Sequence, residues 1–287
     1  MTMTAPHDQL PDPNALARQL DDLPAQHAVA TQVLQVAGDN RASARDLADV
    51  LATDPAMSAQ ILKLANSAYY GMAGRVRNLP FAVTVVGFVS IHSLAAAYAA
   101  GALGADADVP DGFWDRAAAA AASASTLAGR IGVLRPEGLC LGLLHELGDF
   151  LLRKEAPEAH ATITAETPHW DCSGRADLER ELLGAHHGDL LAHSLAAWNF
   201  PDDLVDAIRL HPDAQHFSSG LARTITAGLA LSALTLRHDD DPDDAGTLTQ
   251  HLIPGLEIGN IRPEDAWPLS RTARNDAIHL ATTLAPA

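Results

Sequence analysis

Apolar side chains return every three or four positions along most of this chain, and runs that alternate strictly between apolar and polar are missing. That pattern predicts helices almost throughout and an all-α fold. From Leu139 to Lys154, the positions Cys140, Leu143, Leu144, Leu147 and Leu151 trace one apolar stripe of a helix, with His145 and Glu146 on or beside it. A second stripe, Met57, Ile61, Leu64 and Ala65, follows Asp54-Pro55. There the aspartate can accept the free amides of the first turn, and the proline loses nothing by lacking a donor at the first helical position. Asn66, Ser67 and Gly71 end that helix. Further helices are expected to begin at Phe113-Trp114, to span Arg175 to Leu183 with a break at Gly184, to span His187 to Trp198, and to span Leu269 to Leu284. Acidic loops are expected at Asp106 to Asp111 and at Asp239 to Asp244.

The apolar segment Phe81 to Ala105 contains no Asp, Glu, Lys or Arg and is long enough on paper to cross a bilayer. Its many alanines, its glycines and His92 argue instead for a buried helix of a soluble bundle, so no membrane partner is expected. Gly104 to Gly112, with its acids and Pro110, reads as a border between two parts. Ala117 to Ala122 forms helix readily, and its small side chains let a neighbouring helix approach closely. The first twenty residues, proline-rich and polar, read as a loose lead-in with no secretion signal.

Nineteen basic residues against 36 acidic ones leave a net charge of −17, which repels nucleic-acid phosphates and anionic headgroups, and no concentrated basic patch offsets it. Nucleic acid is therefore an unlikely partner. Cys140 and Cys172 have no metal-type spacing, which points to a reduced, cytoplasmic setting. No Gly-x-Ser-x-Gly elbow, Walker-type loop or dinucleotide fingerprint occurs, and Asp239 to Asp244 lacks the glycine and glutamate of an EF-hand.

What remains is the pair His145 and Glu146. Burying a polar group without a partner costs roughly 2–7 kcal/mol, so both must meet a metal, a counter-charge or a hydrogen-bond network. For His145, ring nitrogens held by neighbours in the core is the preferred reading. His187, at a helix start, and His211, before Pro212, read as surface or capping residues, and His186 and His193 carry no signal of their own. For Asn66-Ser67-Ala68-Tyr69-Tyr70, the preferred reading has Asn66 and Ser67 bonding back to the backbone while Tyr69 or Tyr70 packs between lobes.

The order of these motifs resembles the HDOD family, bacterial output domains related to the HD and HD-GYP metal-dependent phosphohydrolases. The likeness runs through Leu51 to Pro55, is strongest at Leu62-Lys-Leu-Ala-Asn-Ser-Ala-Tyr-Tyr-Gly71, and includes the signature residues Asp54, Pro55, Asn66, Ser67, Tyr69, Tyr70 and Gly71. It resumes at Phe113-Trp114, Gly142 to Gly148, Glu181 to Gly184 with His187, Trp198 to Pro201, and Ala207 to His211. The resemblance implies a multi-helix bundle of HD-like type with an N-terminal helical lobe. It divides the chain into the lead-in 1–20, an HDOD domain over 21–215 with lobes 21–105 and 110–215, and C-terminal helices over 216–287.

The resemblance also implies a degenerate HD-like pocket between the lobes, formed by Arg116, His145, Glu146, His187 and His211. The HD enzymes carry a histidine two residues after the Trp of the first motif, where this chain has Arg116, and Glu146 stands where their aspartate would be. Leu191 stands where relatives tend to carry a small residue, which would tighten the pocket mouth. A fixed guanidinium repels a metal and can instead pair with Glu146 by a bidentate contact. The expectation is therefore no catalytic residue, no metal and no cofactor, but an output module acting on signalling proteins, either stand-alone or receiving its input from a separate partner. The alternative is a phosphohydrolase of a nucleotide or cyclic dinucleotide, with divalent Fe, Mn or Zn on His145, Glu146, His187 and His211.

Overall fold

The computed structural model describes residues 28–104, 107–216, 219–237 and 242–285, with the side chains of 214–216 and 242–249 outside the description. The lead-in 1–20 lies outside the described residues. Among the described residues the regular elements are all helical.

The first five helices are short. They are α1 (Ala28–Ala37), α2 (Ala44–Leu51), α3 (Pro55–Ala65), α4 (Leu79–Val86) and α5 (Phe88–Ala100). Asp54 caps α3, accepting from the amides of Ala56 and Met57, with Pro55 at the first position. Met57, Ile61, Leu64 and Ala65 are its buried face, as the stripe predicts. The segment from Phe81 onward is two helices and not the single one expected: α4 and α5 meet at Gly87 with a 101° bend. The cause is the backbone of Gly87, which takes φ 84°, a region where a side chain is strained. Among the described residues no single helix is long and apolar enough to cross a membrane; the bent pair would pass on length and composition only.

Two long helices follow, α6 (Phe113–Ile131) and α7 (Arg135–Glu155), and they pack on one another. Their approach is set by glycine against alanine. A Cβ placed on Gly142 would stand 2.4 Å from the backbone nitrogen of Ala121, and one on Gly138 would stand 2.7 Å from the carbonyl oxygen of Ala124. The alanine run 117–122 is buried. Because α6 and later helices enclose α7, the latter is buried from Gly138 to Leu152 nearly all round, with Leu143 the partly exposed position, and not on a single stripe. His145 and Glu146 thus lie wholly inside.

The remaining helices are α8 (Pro157–Glu166), α9 (Cys172–Leu183), α10 (His187–Ala197), α11 (Asp202–Leu210), α12 (Gly220–Thr235), α13 (Pro242–Ile258) and α14 (Pro263–Leu284). The last begins six residues before the expected Leu269, because Pro263 opens it and Pro268 falls in its early turns without ending it. Asp243 and Asp244 belong to α13 and not to a loop; 239–241 lie outside the described residues. Helices α12 and α14 pack along α6. The carboxyl end of α14 is covered by α3, where Gln60 donates to the Thr283 carbonyl at 2.9 Å and Lys63 to that of Thr282 at 2.9 Å. One buried apolar cluster runs from Ala30 to Leu284, and a smaller one joins α12, α13 and the start of α14 under Leu127.

Candidate functional site

Helix α7 is the spine of the site. His145 and Asp149 are one turn apart on it, and Glu146 stands beside them, all three buried. The amino terminus of α10 brings His187, and the carboxyl end of α11 brings His211. His145, His187 and His211 are 4%, 1% and 0% exposed, so the last two are interior residues and not the surface or capping positions expected. The ring of His145 lies edge-on to His187 and to His211, both at 4.9 Å between centroids. One ring nitrogen from each of the three lies within 4.8 Å of the others.

Hydrogen bonds fix the tautomers. Nδ1 of His211 donates to the Ile208 carbonyl at 2.7 Å, which leaves its Nε2 a lone pair, buried and without a partner. Nδ1 of His187 meets Glu179 Oε2 at 2.7 Å, and the same oxygen accepts the His187 amide at 2.8 Å. Nε2 of His187 faces Nε2 of His145 at 3.2 Å, so one of the two carries the proton between them. Burial pushes the His187 ring down, but Glu179 more than reverses this, so it is held protonated above the usual range. Burial pushes His145 and His211 down, and the charge on His187 adds to it. His186 caps α10 through its ring, which accepts from the Gly188 amide at 3.0 Å. Burial and the neighbouring His187 bring it down to about 4.

Beneath the imidazoles lies a charge network that the sequence reading missed. Arg175, 2% exposed, pairs with Asp149 through Nη2 and stands with Nε 3.2 Å from Glu179 Oε1, at an angle poor for a hydrogen bond. His160 reaches Asp149 at 3.2 Å. Burial alone would raise Asp149, but His160 and Arg175 hold its carboxyl far below the usual range. The only signals for this network are the spacing of His145 and Asp149 by one turn, and Arg175 and Glu179 by one turn of α9.

Arg116 does meet Glu146, with Nε 3.3 Å from Oε2, while its Nη1 donates to the Asp111 carbonyl at 3.3 Å. The contact is through one nitrogen and not bidentate, since the other half of the guanidinium is drawn to Asp111. Glu146 Oε1 is 3.6 Å from His145 Nδ1. Burial raises the Glu146 carboxyl, but His145 and Arg116 outweigh it and keep it ionised.

An open cavity of about 510 Å³ adjoins this pair, lined by Arg116, Glu146, His169 and Trp170 on one side. Its other wall is α12 with the two residues that follow it, from Leu229 to Arg237, and His251 of α13. The pocket therefore lies against the C-terminal helices and not between the two lobes. His145, His187 and His211 are absent from its lining. Leu191 is not at its mouth either; it is fully buried, beside Gly148.

The signature turn is tied to its surroundings by side-chain hydrogen bonds. Asn66 holds the backbone of Val76 at both ends, by 2.8 and 3.0 Å bonds, and Tyr69 shares a 2.8 Å bond with Ser125 of α6. Tyr70 points at the Val86 carbonyl, 3.5 Å away. Ser67 departs from expectation, for its hydroxyl is buried without a partner.

The site fits a divalent transition ion in its donor set. It offers three imidazoles, one with an unpartnered lone pair, and one of them is held from behind by a carboxylate in the manner that orients metal ligands. Three carboxylates, Glu146, Asp149 and Glu179, meet two guanidinium groups, so the cluster has room for one more positive charge, a proton on His187 or an ion. Glu146 does not join the donors; it is turned to Arg116.

Residues 23–214 match the model of the HDOD domain. An uncharacterized protein of Treponema pallidum (strain Nichols) is 24% identical over 263 residues, 91% of this chain and 50% of that protein, so the chain spans about half the length of the curated relative it matches. The crystal structure of a candidate phosphohydrolase from Shewanella amazonensis SB2B aligns with TM-score 0.71 at 26% identity, over 94% of this chain and 98% of that one. That of a candidate signal transduction protein from Marinobacter aquaeolei VT8 aligns with TM-score 0.65 at 25% identity, over 98% of this chain and 63% of that one. With two thirds of its length under the family model and the same all-helical architecture in its solved relatives, the chain belongs to the HDOD domain family.

Proposed function

We propose that this chain is a non-catalytic signal-transduction module that acts through protein contacts and keeps an HD-type site as a structural and sensing element. A signalling-related role is supported by the HDOD domain and by the likeness to the Marinobacter signal transduction protein. The observation that carries the non-catalytic part is the Arg116–Glu146 pair at 3.3 Å. It occupies the cavity wall nearest the histidines, and none of the three imidazoles lines that cavity. A metallohydrolase needs an ion with an open coordination position facing its substrate. Here a substrate in the cavity meets a guanidinium and a carboxylate already neutralised by it. His145, His187 and His211 would hold a divalent ion, and when bound such an ion polarises water or a phosphoryl oxygen.

The test is hydrolysis of nucleotides, cyclic dinucleotides and bis(p-nitrophenyl) phosphate by the purified chain, with and without added Mn²⁺, Zn²⁺ or Fe²⁺, beside elemental analysis. No metal-stimulated turnover is expected. Turnover that tracks bound metal and disappears in His145→Ala would overturn the proposal and favour the phosphohydrolase reading, for which the name of the Shewanella relative is the support.

A further inference from the structure

The cavity beside Arg116 is built unlike the rest of this molecule. In a chain of net charge −17, its described lining has two guanidinium groups, Arg116 and Arg237, and two imidazoles, His169 and His251; Glu146 is paired with Arg116, and Arg237 is itself engaged by a partner. A guanidinium carries five N–H donors. The two contacts that Arg116 makes, to Glu146 and to the Asp111 carbonyl, leave it further donors to offer. Flat apolar surface stands next to this charge. The rings of Trp170 and His251 lie 5.9 Å apart and 31° from parallel, and Leu229, Ala233 and Leu236 complete the wall. At about 510 Å³ the space falls within the size range of sites for small organic molecules.

We propose that this cavity binds a small organic anion that carries a flat ring, its acid group among Arg116, Arg237 and His169 and its ring against Trp170 and His251. The ligand chemistry is an acidic group on a planar ring; aromatic carboxylates and nucleoside monophosphates both satisfy it. The proposal deepens the reading of the chain as a sensing module, on which it rests, by naming what the module senses. Its walls explain how binding would be felt. Arg116, Glu146, His169 and Trp170 belong to α6, α7 and the segment before α9, whereas Leu229 to Arg237 and His251 belong to the C-terminal helices. A ligand spanning them ties α12 and α13 to the HD-like half.

The experiment is calorimetric titration of the full chain with adenosine and guanosine monophosphates in one arm, indole-3-acetate and 4-hydroxybenzoate in the other, and inorganic phosphate alone as the ring-free control. Saturable binding is expected in at least one ring-bearing arm, at least tenfold tighter than inorganic phosphate. The affinity should fall at least tenfold in Arg237→Ala and in Trp170→Ala, with circular dichroism and melting temperature preserved. If Arg237→Ala fails to fold, His251→Ala serves in its place. Absence of binding in both arms at millimolar ligand, or binding that both variants leave unchanged, would overturn the proposal. Binding without turnover separates the two readings: loss of binding removes only the ligand site, while turnover of a bound phosphate removes only the non-catalytic assignment.

Discussion

His92 shows what a buried ionisable group does to this molecule away from the charge cluster. Its ring stacks on Phe200 at 3.8 Å, and its Nε2 meets the Trp198 carbonyl at 2.9 Å. Burial brings it from 6.5 down to about 4, the carbonyl only partly opposing. The folded state therefore binds this proton later than the unfolded chain does as pH falls. Its contribution to stability is whole above pH 6.5 and is lost as pH drops from 6.5 through about 4, at up to roughly 1.4 kcal/mol per pH unit. His92→Gln, whose amide can still donate to Trp198, should lose less stability over that window than the parent chain, measured by urea unfolding at pH 7 and at pH 4.5. Equal losses would show that His92 is not a source of the acid sensitivity. At this scale the sequence exposed His145 and Glu146, because two polar side chains in an apolar stripe must have partners. It concealed Glu179 and Arg175, whose helix stripe of polar and apolar residues reads as a solvated face until α7 and α10 close over it.

Among the elements, the contact of α6 with α7 is the one where the backbone itself is the packing surface. Gly142→Ala would drive a methyl group against the backbone of Ala120 and Ala121, at 2.5 and 2.4 Å, and neither can move without bending α6. The expected loss is about 1–3 kcal/mol or more. Gly129→Ala is the control on the same helix pair: it has open space around it and should be neutral or slightly stabilising. Comparable denaturation midpoints for the two variants would refute the close approach. Helix positions were legible because caps and prolines punctuate them, as at Asp54-Pro55 and Phe113. The 101° bend at Gly87 was not, since an unbroken apolar run gives the same periodicity on both sides of a glycine whose backbone angle no pattern announces. The early start of α14 was not legible either, because a helix that opens at Pro263 and carries Pro268 in its early turns lacks the usual punctuation of a single start.

For the whole molecule, the buried cluster that reaches from α1 to α14 makes the C-terminal helices part of the core. Leu269, Leu280 and Leu284 of α14 are buried, and at about 1.5–3 kcal/mol each they amount to a large share of an ordinary stability of about 5–15 kcal/mol. Removing residues 263–287 should abolish cooperative unfolding and bring strong binding of a hydrophobic dye. A truncated chain that unfolds sharply at the parental midpoint would show α14 to be an accessory. That the chain is all-helical and of the HDOD type could be read from its motifs; that the pocket is walled by α12 and α13 could not, because that stretch carries no motif of its own.

The alanine run of α6 has one more consequence. With Gly142 of α7 seated on that run, and Gly138 of α7 and Gly228 of α12 seated on Ala124 just beyond it, each without room for even a methyl group, sliding or rolling these three rods would bring larger side chains into overlap. Any message that crosses this molecule must travel as a tilt of the unit they form, or through its periphery at α13, and never by slippage at the centre.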